Sequence, residues 1–136
     1  MKKNKSIAKL VEDVAVLMQK YVRLKAADEN GYCQCVTCGK VGHWKELQGG
    51  HYIPRGNQST KILEENIHPQ CVHCNHFDKE NAKIAYTRWM DNYYGVEFVR
   101  ELEILATKPR KYYRDEVDEI KQDLLEKIRE LENESQ

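Results

Sequence analysis

Cys-Val-Thr-Cys-Gly at residues 35–39 and Cys-Val-His-Cys at residues 71–74 are two C-x2-C motifs with 32 residues between them. Each such turn directs both sulfurs toward one point, and four thiolates suit the tetrahedral coordination of Zn²⁺. Gly39 permits a tight turn in which backbone N–H groups face sulfur. The motifs predict a structural zinc ion, with redox-active thiols as the alternative. Its four ligands would be Cys35, Cys38, Cys71 and Cys74.

The fifth cysteine, Cys33, lies two residues before Cys35 and would share one side of an extended strand with it. We expect Cys33 to pack in the core, with replacement of Cys35 as a ligand as the alternative. Because a site of four cysteines leaves no open coordination position, any catalysis must come from other residues.

The composition predicts one domain with a small core, because only 40% of the 136 residues are hydrophobic and 32% are charged. The formal net charge is zero, but it is unevenly distributed. Residues 1–114 carry 19 Lys and Arg against 13 Asp and Glu, whereas residues 115–136 carry three against nine. The basic body is compatible with a polyanionic partner, and a solvated surface of mixed sign is the alternative.

No apolar run approaches the roughly 20 residues that a membrane span requires. The basic start, Met1–Lys5, leads into an amphipathic segment rather than the apolar core of a signal peptide. We therefore expect a cytosolic (cytoplasmic) protein with no membrane partner. In such a reducing compartment, five cysteines indicate metal ligands or free thiols before disulfides.

The first third of the chain changes from a helical pattern to an irregular one. Apolar residues recur at three- and four-residue steps over residues 7–21, which predicts an amphipathic helix ending near Ala27. From residue 32 to about residue 74 this period vanishes. Short β-like pieces at residues 44–47 and 51–53 predict one or two small hairpins. A stretch of this length with so little regular structure needs another source of stability, and metal coordination would supply it.

Helical periodicity returns in the second half of the chain. It predicts one helix from about Asp78 to Gly95, a shorter one that ends before Pro109, and a last one over residues 117–131. The charged last segment suits a coiled coil or a docking helix. The predicted class is α+β. Its three parts are an N-terminal helix in residues 1–30, a zinc-bound core in residues 31–94 and C-terminal helices in residues 95–136.

A histidine and two asparagines accompany the cysteine motifs. His51 follows two glycines between the motifs, Asn66 lies shortly before the second motif, and Asn75 directly follows Cys74. A histidine after two glycines is usually a residue of a surface turn. The position of His51 between zinc-binding pairs, with an asparagine after the last cysteine, favours a functional role instead.

These strings resemble a known family. A histidine at the end of a strand, an asparagine in the following loop and an asparagine after a C-x2-C pair describe the HNH (His-Me finger) ββα-metal motif. In its endonuclease VII branch, four zinc cysteines bracket the histidine. The chain is similar to the phage NinG (Rap) recombination proteins through Gly50-His51-Tyr52 and through Asn-x-His-x-Gln-Cys-x2-Cys-Asn at residues 66–75. The resemblance covers about residues 21–105.

The resemblance implies a zinc-stabilised ββα-metal finger with flanking helices, and the activity of an Mg²⁺- or Mn²⁺-dependent DNA endonuclease. His51 would be the general base, since an imidazole titrates near neutrality. Asn75 would bind the catalytic metal ion, which would offset charge on the phosphate and on the leaving 3′ oxygen. Asn66 would tie the loop and help to orient His51.

The family's substrate is branched recombination DNA, so the resemblance implies a four-way (Holliday) junction or a D-loop as the target, in a bacterial host cell. A resolvase makes two coordinated cuts, which implies a homodimer. The terminal helices, including residues 117–131, would form its interface by architectural analogy.

One position departs from the family pattern. Many HNH enzymes have an aspartate directly before the base as a second metal ligand, but here Gly50 has no side chain. Gln48, His68 and His76 are candidates to replace it, as is water. Because Mg²⁺ prefers carboxylates, the departure bears on the catalytic metal site more than on the fold.

Basic residues near the histidine are candidates for contacts with DNA phosphates, namely Arg55, Lys61, Lys79 and Lys83. Solvated surface is the alternative for each of them. Two other functions compete with the nuclease. One is a zinc-binding DNA- or protein-binding module without catalysis, which Gly50 supports best. The other is an assembly adaptor that acts through its terminal helices.

Overall fold

The cysteine-rich middle of the chain forms two short hairpins set between helices. The computed structural model describes residues 5–134. Its elements are α1 (Ile7–Ala26), β1 (Tyr32–Gln34), β2 (Val41–His43), β3 (Gln48–His51), β4 (Ile67–Gln70), α2 (Lys79–Tyr94), α3 (Val96–Ala106) and α4 (Arg114–Glu134). A 3₁₀ turn (Glu64–Asn66) precedes β4, and a π-helical turn (His73–Phe77) precedes α2. The predicted mixture of helices and small sheets is confirmed.

Local capping sets the ends of α1. The hydroxyl of Ser6 accepts a hydrogen bond from the backbone N–H of Lys9 at 3.1 Å, which satisfies one of the free amides of the first turn. The helix ends where Ala27 adopts extended backbone. The Asp28 carboxylate then accepts from the backbone N–H of Asn30 and of Tyr32, both at 2.9 Å. This carboxylate holds the turn that leads into β1.

The largest apolar cluster lies between α1 and α4. Seven residues of α1 are buried, and α4 buries Val117, Leu124 and Ile128 against them. Ile62 and Ile67 extend this cluster toward β4. The apolar stripe of α4 therefore packs within its own chain. It is not available for the dimer interface that the sequence predicted there.

The two hairpins are both antiparallel, and β4 joins them. Cys33 of β1 lies opposite Gly42 of β2, and Gly49 of β3 lies opposite Pro69 of β4. The Pro69 carbonyl accepts from the Val36 N–H at 3.0 Å, which ties the second hairpin to the first cysteine motif. The predicted β-like piece at residues 44–47 is wrong, because these residues form the turn between β2 and β3.

Gly49 allows α1 to lie directly against β3. A Cβ on Gly49 would come within 2.6 Å of the Gln19 Cβ and 2.7 Å of its Cα. Because one of these atoms belongs to the helix backbone, a side chain at residue 49 would push α1 away. The strand that carries His51 is therefore fixed on the first helix.

A separate apolar cluster lies around α2 and α3. It contains Tyr52 and Ile53 from the segment after β3, together with Met90 and Val99. Gly95, with φ of 94°, makes the break between the two helices that its sequence predicts. Among residues 5–134, no helix has the length and apolar content needed to cross a bilayer.

Candidate functional site

The four predicted zinc ligands converge. The Sγ atoms of Cys35, Cys38, Cys71 and Cys74 all lie within 4.8 Å of one another. The Cys38 and Cys71 sulfurs are 3.7 Å apart, close to the ~3.8 Å edge of a tetrahedron with Zn–S bonds of about 2.3 Å. The cluster can therefore hold a metal ion such as zinc.

The turn of the first cysteine motif directs N–H and O–H groups at the Cys35 sulfur. Gly39, with φ of 82°, donates its N–H to the Cys35 carbonyl at 3.0 Å. The Thr37 Oγ1 lies 3.1 Å from the Cys35 Sγ. Burial opposes ionisation of Cys35. Hydrogen bonds to its sulfur from the Thr37 hydroxyl and from backbone N–H groups of Cys38, Cys71 and Thr37 outweigh burial and lower the pKa of its thiol to about 6. Burial raises the pKa of the Cys74 thiol to about 12, so a bound cation is needed to ionise all four thiols together.

Cys33 lies outside this cluster. It is buried beside Leu47 and Ala82, and it is absent from the group of sulfurs that can hold a metal. Burial raises the pKa of its thiol, despite the nearby Arg23 guanidinium. These observations agree with the expected packing role.

A cavity of about 620 Å³ lies next to the cysteine cluster, and Cys74 lines it. His51 and Asn75 line the same cavity, so the structure places these two predicted site residues together. The glutamines Gln48 and Gln70 also line it. Sequence reasoning named Gln48 as a substitute ligand but missed Gln70.

The His51 ring is held by one hydrogen bond from its Nε2 to the Lys61 carbonyl at 2.8 Å. A carbonyl only accepts, so Nε2 must carry the proton and Nδ1 keeps its lone pair. Burial lowers the pKa of His51. The hydrogen bond to the Lys61 carbonyl opposes this shift, while the nearby positive charges of Arg55 and Lys61 add to it. His51 is therefore a neutral imidazole at neutral pH, with a free basic nitrogen.

Asn75 leaves its side-chain oxygen free. The turn of the second cysteine motif places it, since its backbone N–H donates to the Cys71 carbonyl at 3.0 Å. Its Nδ2 donates to the Gln48 Oε1 at 2.8 Å. Among residues 5–134, no donor contacts the Asn75 Oδ1, so this atom remains available to a ligand.

Asn66 is fully buried and ties the segment that follows His51. Its Oδ1 accepts from the Ile53 N–H at 2.8 Å, and its Nδ2 donates to the carbonyls of Ile53 and Thr60, both at 3.0 Å. Asn66 does not line the cavity. Its hydrogen bonds hold the loop between β3 and β4, and it does not touch the space open to a substrate.

Asn66→Ala is expected to destabilise the protein by about 3 kcal/mol, because three buried backbone groups would lose their partner. Chemical denaturation measures this loss. Asn92→Ala, which removes an exposed asparagine on α2, is the matched control and should change stability by less than about 0.5 kcal/mol. Equal stabilities of the two variants would contradict the role given to Asn66.

His68, one of the candidate metal ligands, lies elsewhere. Its Nδ1 is 3.0 Å from the Tyr86 hydroxyl and its Nε2 is 2.8 Å from the Tyr94 hydroxyl, so both ring nitrogens are taken. Burial lowers the pKa of His68 to about 3. The Tyr86 hydroxyl in turn donates to the Gly50 carbonyl at 2.7 Å. The prediction of His68 as a metal ligand is therefore wrong, and the residue supports the backbone next to His51.

The cavity lining is basic. It includes Arg23, Arg55, Lys79 and Lys83, and no aspartate or glutamate occurs among its described residues. Of the predicted phosphate contacts, Arg55 and Lys79 line the cavity, whereas Lys61 does not. Lys61 and Arg55 both form ion pairs with Glu12. The cavity therefore suits an anionic ligand.

Two of these cations have structural partners that the sequence did not indicate. Arg23 donates to the carbonyls of Trp44 and Leu47, each at 3.0 Å, and so ties α1 to the turn before β3. The Lys83 ammonium donates to the Tyr52 carbonyl at 2.7 Å and lies 3.7 Å from the centre of the Tyr52 ring. Lys79 has no carboxylate partner in the described part of the chain.

The comparisons with known proteins gave one match. Residues 1–134 match the sequence model of the family described as "Bacteriophage Lambda NinG protein". The comparisons with curated proteins and with solved structures gave no match.

Proposed function

The chain belongs to the family of the bacteriophage lambda NinG protein, and on that premise we propose that it is a zinc-stabilised, metal-dependent DNA endonuclease of the HNH type. One observation carries the proposal: His51 lines a cavity that carries cations and, among its described residues, no carboxylate, and the bond from its Nε2 to the Lys61 carbonyl leaves Nδ1 without a partner among residues 5–134. Cations attract a phosphodiester, while the imidazole can take the proton of an attacking water.

The order of the elements supports this assignment. β3, β4 and α2 follow one another, with His51 at the end of β3 and Asn75 in the π-helical turn before α2. This is the arrangement that a ββα-metal finger requires. The cysteine cluster joins the segment before the first of these strands to the segment after the second, and would keep His51 and Asn75 on one cavity.

In the proposed reaction, His51 Nδ1 accepts a proton from a water as that water attacks phosphorus. The bond from phosphorus to the 3′ oxygen breaks, and the 3′ oxygen leaves with the electron pair and takes a proton from a second water. The Nε2–H stays bonded to the Lys61 carbonyl, which orients the ring and favours the imidazolium as it forms. Lys79 and Arg55 would hold phosphate oxygens at the cavity wall. Products with a 5′ phosphate and a 3′ hydroxyl follow.

The chemistry of the cavity oxygens is compatible with Mg²⁺ or Mn²⁺. Asn75, Gln48 and Gln70 supply neutral carboxamide oxygens, which are hard ligands, but such ions usually bind a carboxylate as well. DNA phosphates would provide the missing negative charge. When bound, the ion would offset charge on the phosphate and on the leaving oxygen.

We infer branched recombination DNA as the substrate, with a homodimer making two coordinated cuts. The test is cleavage of a four-way junction and of a linear duplex of equal sequence by zinc-loaded protein, with Mg²⁺ or with EDTA. We expect Mg²⁺-dependent cleavage that is faster on the junction. Equal rates would remove the branched-DNA inference, and no cleavage of either substrate would refute the nuclease.

The acid side of the pH–rate profile is expected to have its midpoint below pH 6.5. Burial holds the pKa of His51 below its ordinary value of 6.5, so the basic form persists as the pH falls and is lost only in more acidic buffer. Single-turnover cleavage rates from pH 5 to pH 8 measure this midpoint. A midpoint above pH 6.5 would show that another group limits the reaction.

The cavity also supports a second candidate, a zinc-binding DNA-binding module without catalysis. The observation that favours it is the absence of any carboxylate from the described lining, in the place where Gly50 stands. Such a module would bind DNA with an affinity that falls steeply with salt, and it would not depend on His51. The His51 variant considered in the Discussion separates the two functions.

A further inference from the structure

A second cavity, of about 680 Å³, is lined by aromatic and acidic side chains. Its volume lies within the range of about 300–1,000 Å³ that ligand pockets occupy. Among residues 5–134, it shares no lining residue with the cavity of His51. We call it the aromatic cavity, and its lining includes Lys25, Glu64, Glu65, Trp89, Tyr93 and Tyr94. It is therefore a separate site with a different chemistry.

Three rings at the end of α2 form the aromatic part of this lining. The rings of Trp89 and Tyr93 are stacked, with their centroids 4.8 Å apart and their planes at 10°. The Tyr94 ring lies 4.7 Å from that of Tyr93 at an angle of 80°. Tyr93 is nevertheless 66% exposed. An aromatic surface of this kind is open to a ligand, and it attracts cations and other planar groups.

The charged part of the lining is acidic. Lys25 is the one cation among the described lining residues, and its ammonium is bonded to the Glu64 carboxylate at 2.7 Å. The Glu65 side chain makes no hydrogen bond or ion pair within residues 5–134. Burial raises the pKa of the Tyr94 hydroxyl, and the charges of Tyr93, Glu65 and Glu64 add to this shift. The aromatic cavity thus carries one unbalanced negative charge, opposite in sign to the cavity of the catalytic histidine.

The Tyr94 oxygen is a free acceptor. The Tyr86 hydroxyl donates its single proton to the Gly50 carbonyl at 2.7 Å, so it accepts from His68 Nδ1 at 3.0 Å. Burial lowers the pKa of His68 to about 3, so the ring is neutral and its Nε2 carries no proton. The Tyr94 hydroxyl must therefore donate to Nε2 at 2.8 Å. Its proton is committed, and only its oxygen lone pairs remain for a ligand.

Three acceptors without a donor in residues 5–134 thus line the aromatic cavity. They are the Tyr94 oxygen, the Glu65 carboxylate and the Gln34 Oε1, whose own Nδ-type amide group, Nε2, donates to the Gly39 carbonyl at 2.9 Å. We propose that the aromatic cavity binds an arginine side chain presented by a partner protein. A guanidinium offers five N–H donors in one plane, stacks on aromatic rings and supplies the positive charge that balances Glu65.

Other occupants fit these observations less well. A nucleobase would stack on the rings, but it is neutral and would leave Glu65 unbalanced, while its phosphate would be repelled. The ammonium of a lysine is a point charge that cannot stack and donate in one plane. Free arginine would bring its own carboxylate toward Glu64 and Glu65. An arginine within a peptide chain carries no such carboxylate, which favours a protein partner.

The test titrates zinc-loaded protein with acetyl-glycyl-arginyl-glycine amide and follows the indole N–H signals of both tryptophans by nuclear magnetic resonance. We expect Trp89 to shift. Trp44, which does not line the aromatic cavity, should not. The same peptide with citrulline, which keeps the shape of arginine and removes the charge, should bind about tenfold more weakly. Free L-arginine and the neutral nucleoside deoxycytidine should also bind more weakly than the arginine peptide.

Two pairs of variants locate the peptide. Glu65→Gln keeps the shape and removes the charge, so it should weaken binding of the arginine peptide about tenfold. Glu119→Gln, the same change at an exposed position of α4, should not. Tyr93→Leu should weaken binding about fivefold through loss of the ring. Tyr113→Leu removes a tyrosine that is 61% exposed outside the cavity and should have no effect. Zinc content and thermal melting check that each variant is folded.

Several outcomes would overturn the proposal. These are equal binding of the citrulline and arginine peptides, equal behaviour of Glu65→Gln and Glu119→Gln, and a Trp89 signal that no peptide shifts. Tighter binding of deoxycytidine than of the arginine peptide would make the cavity a nucleobase pocket, and equally tight binding of free L-arginine would remove the protein partner. None of these measurements involves DNA cleavage, so they succeed or fail independently of the proposed nuclease.

Discussion

Replacement of Cys71 by serine is expected to abolish zinc binding by the cysteine cluster and to unfold both hairpins. Structural zinc binds zinc-finger peptides with an apparent free energy of about 10–16 kcal/mol. This is as large as the free energy of unfolding of a typical domain. Because β4 begins four residues before Cys71 and pairs with β3, the cavity would be lost with the hairpins. A colorimetric zinc assay and hydrogen exchange of the hairpin amides measure both effects.

Cys33→Ser is the matched control for this variant, since Cys33 is equally buried but lies outside the sulfur cluster. It should retain one zinc ion per chain and lose only about 1–3 kcal/mol of stability from a polar group in the core. We also expect Cys71→Ser to retain part of its helix signal, because the cluster between α1 and α4 contains no zinc ligand. A Cys71→Ser protein that retained a full complement of zinc would rule out the four-thiolate site.

His51→Ala is expected to lower the single-turnover rate of DNA cleavage about 10³-fold, within the range of 10²–10⁴ that a general base contributes. The loss is expected because a backbone carbonyl orients the ring of His51. His76 also lines the cavity, but no hydrogen bond from residues 5–134 holds its ring. Zinc content and DNA affinity should stay within about twofold of the unaltered protein, because His51 is neither one of the four clustered cysteines nor a member of the large core.

His73→Ala is the control for the loss of an imidazole, since His73 is exposed and does not line the cavity. It should cleave at the full rate. If His51→Ala cleaves as fast as His73→Ala, His51 is not the base, and the DNA-binding module becomes the better explanation. If neither the unaltered protein nor any variant cleaves DNA but all bind it, that module is supported directly.

The parts of the fold that were predictable from the sequence depend on local spacing. Two C-x2-C motifs are sufficient to predict the sulfur cluster, because each turn is fixed by the residues between its cysteines. The helices were predictable from the three- and four-residue spacing of their apolar residues. Gly95 predicted the break between α2 and α3, because only glycine readily adopts the positive φ found there. His51 and Asn75 were identifiable by their positions relative to the cysteines.

What the sequence did not indicate depends on contacts between distant residues. β4 contains Pro69 and has all four of its residues buried, so it shows no alternation and carries a proline that usually argues against a strand. It is held by β3 on one side and by the amide of Val36 on the other. Neither partner could be inferred from the strand itself.

Polar residues were the hardest to place. Glutamine is usually a surface residue, and only the packing of β4 shows that the amide of Gln70 fills the space beside Gly50. Arg23 lies on a predicted amphipathic helix, where a solvated cation is the usual expectation, yet it bonds to carbonyls more than 20 residues away. His68 is close enough to the cysteine motif in sequence to suggest a metal ligand. In the structure, the hydroxyl groups of two tyrosines from α2 form hydrogen bonds with both of its ring nitrogens.

The pairing of α1 with α4 has a consequence for how the fold is assembled. One side of α1 supports β3 through the Gly49 contact, and its apolar face packs on α4 together with Ile62 and Ile67. Because α1 and α4 are far apart in the sequence, the core between them closes only when a long loop closes, and such non-local contacts slow folding. Loss of α4 would therefore uncover the helix on which the strand of His51 rests.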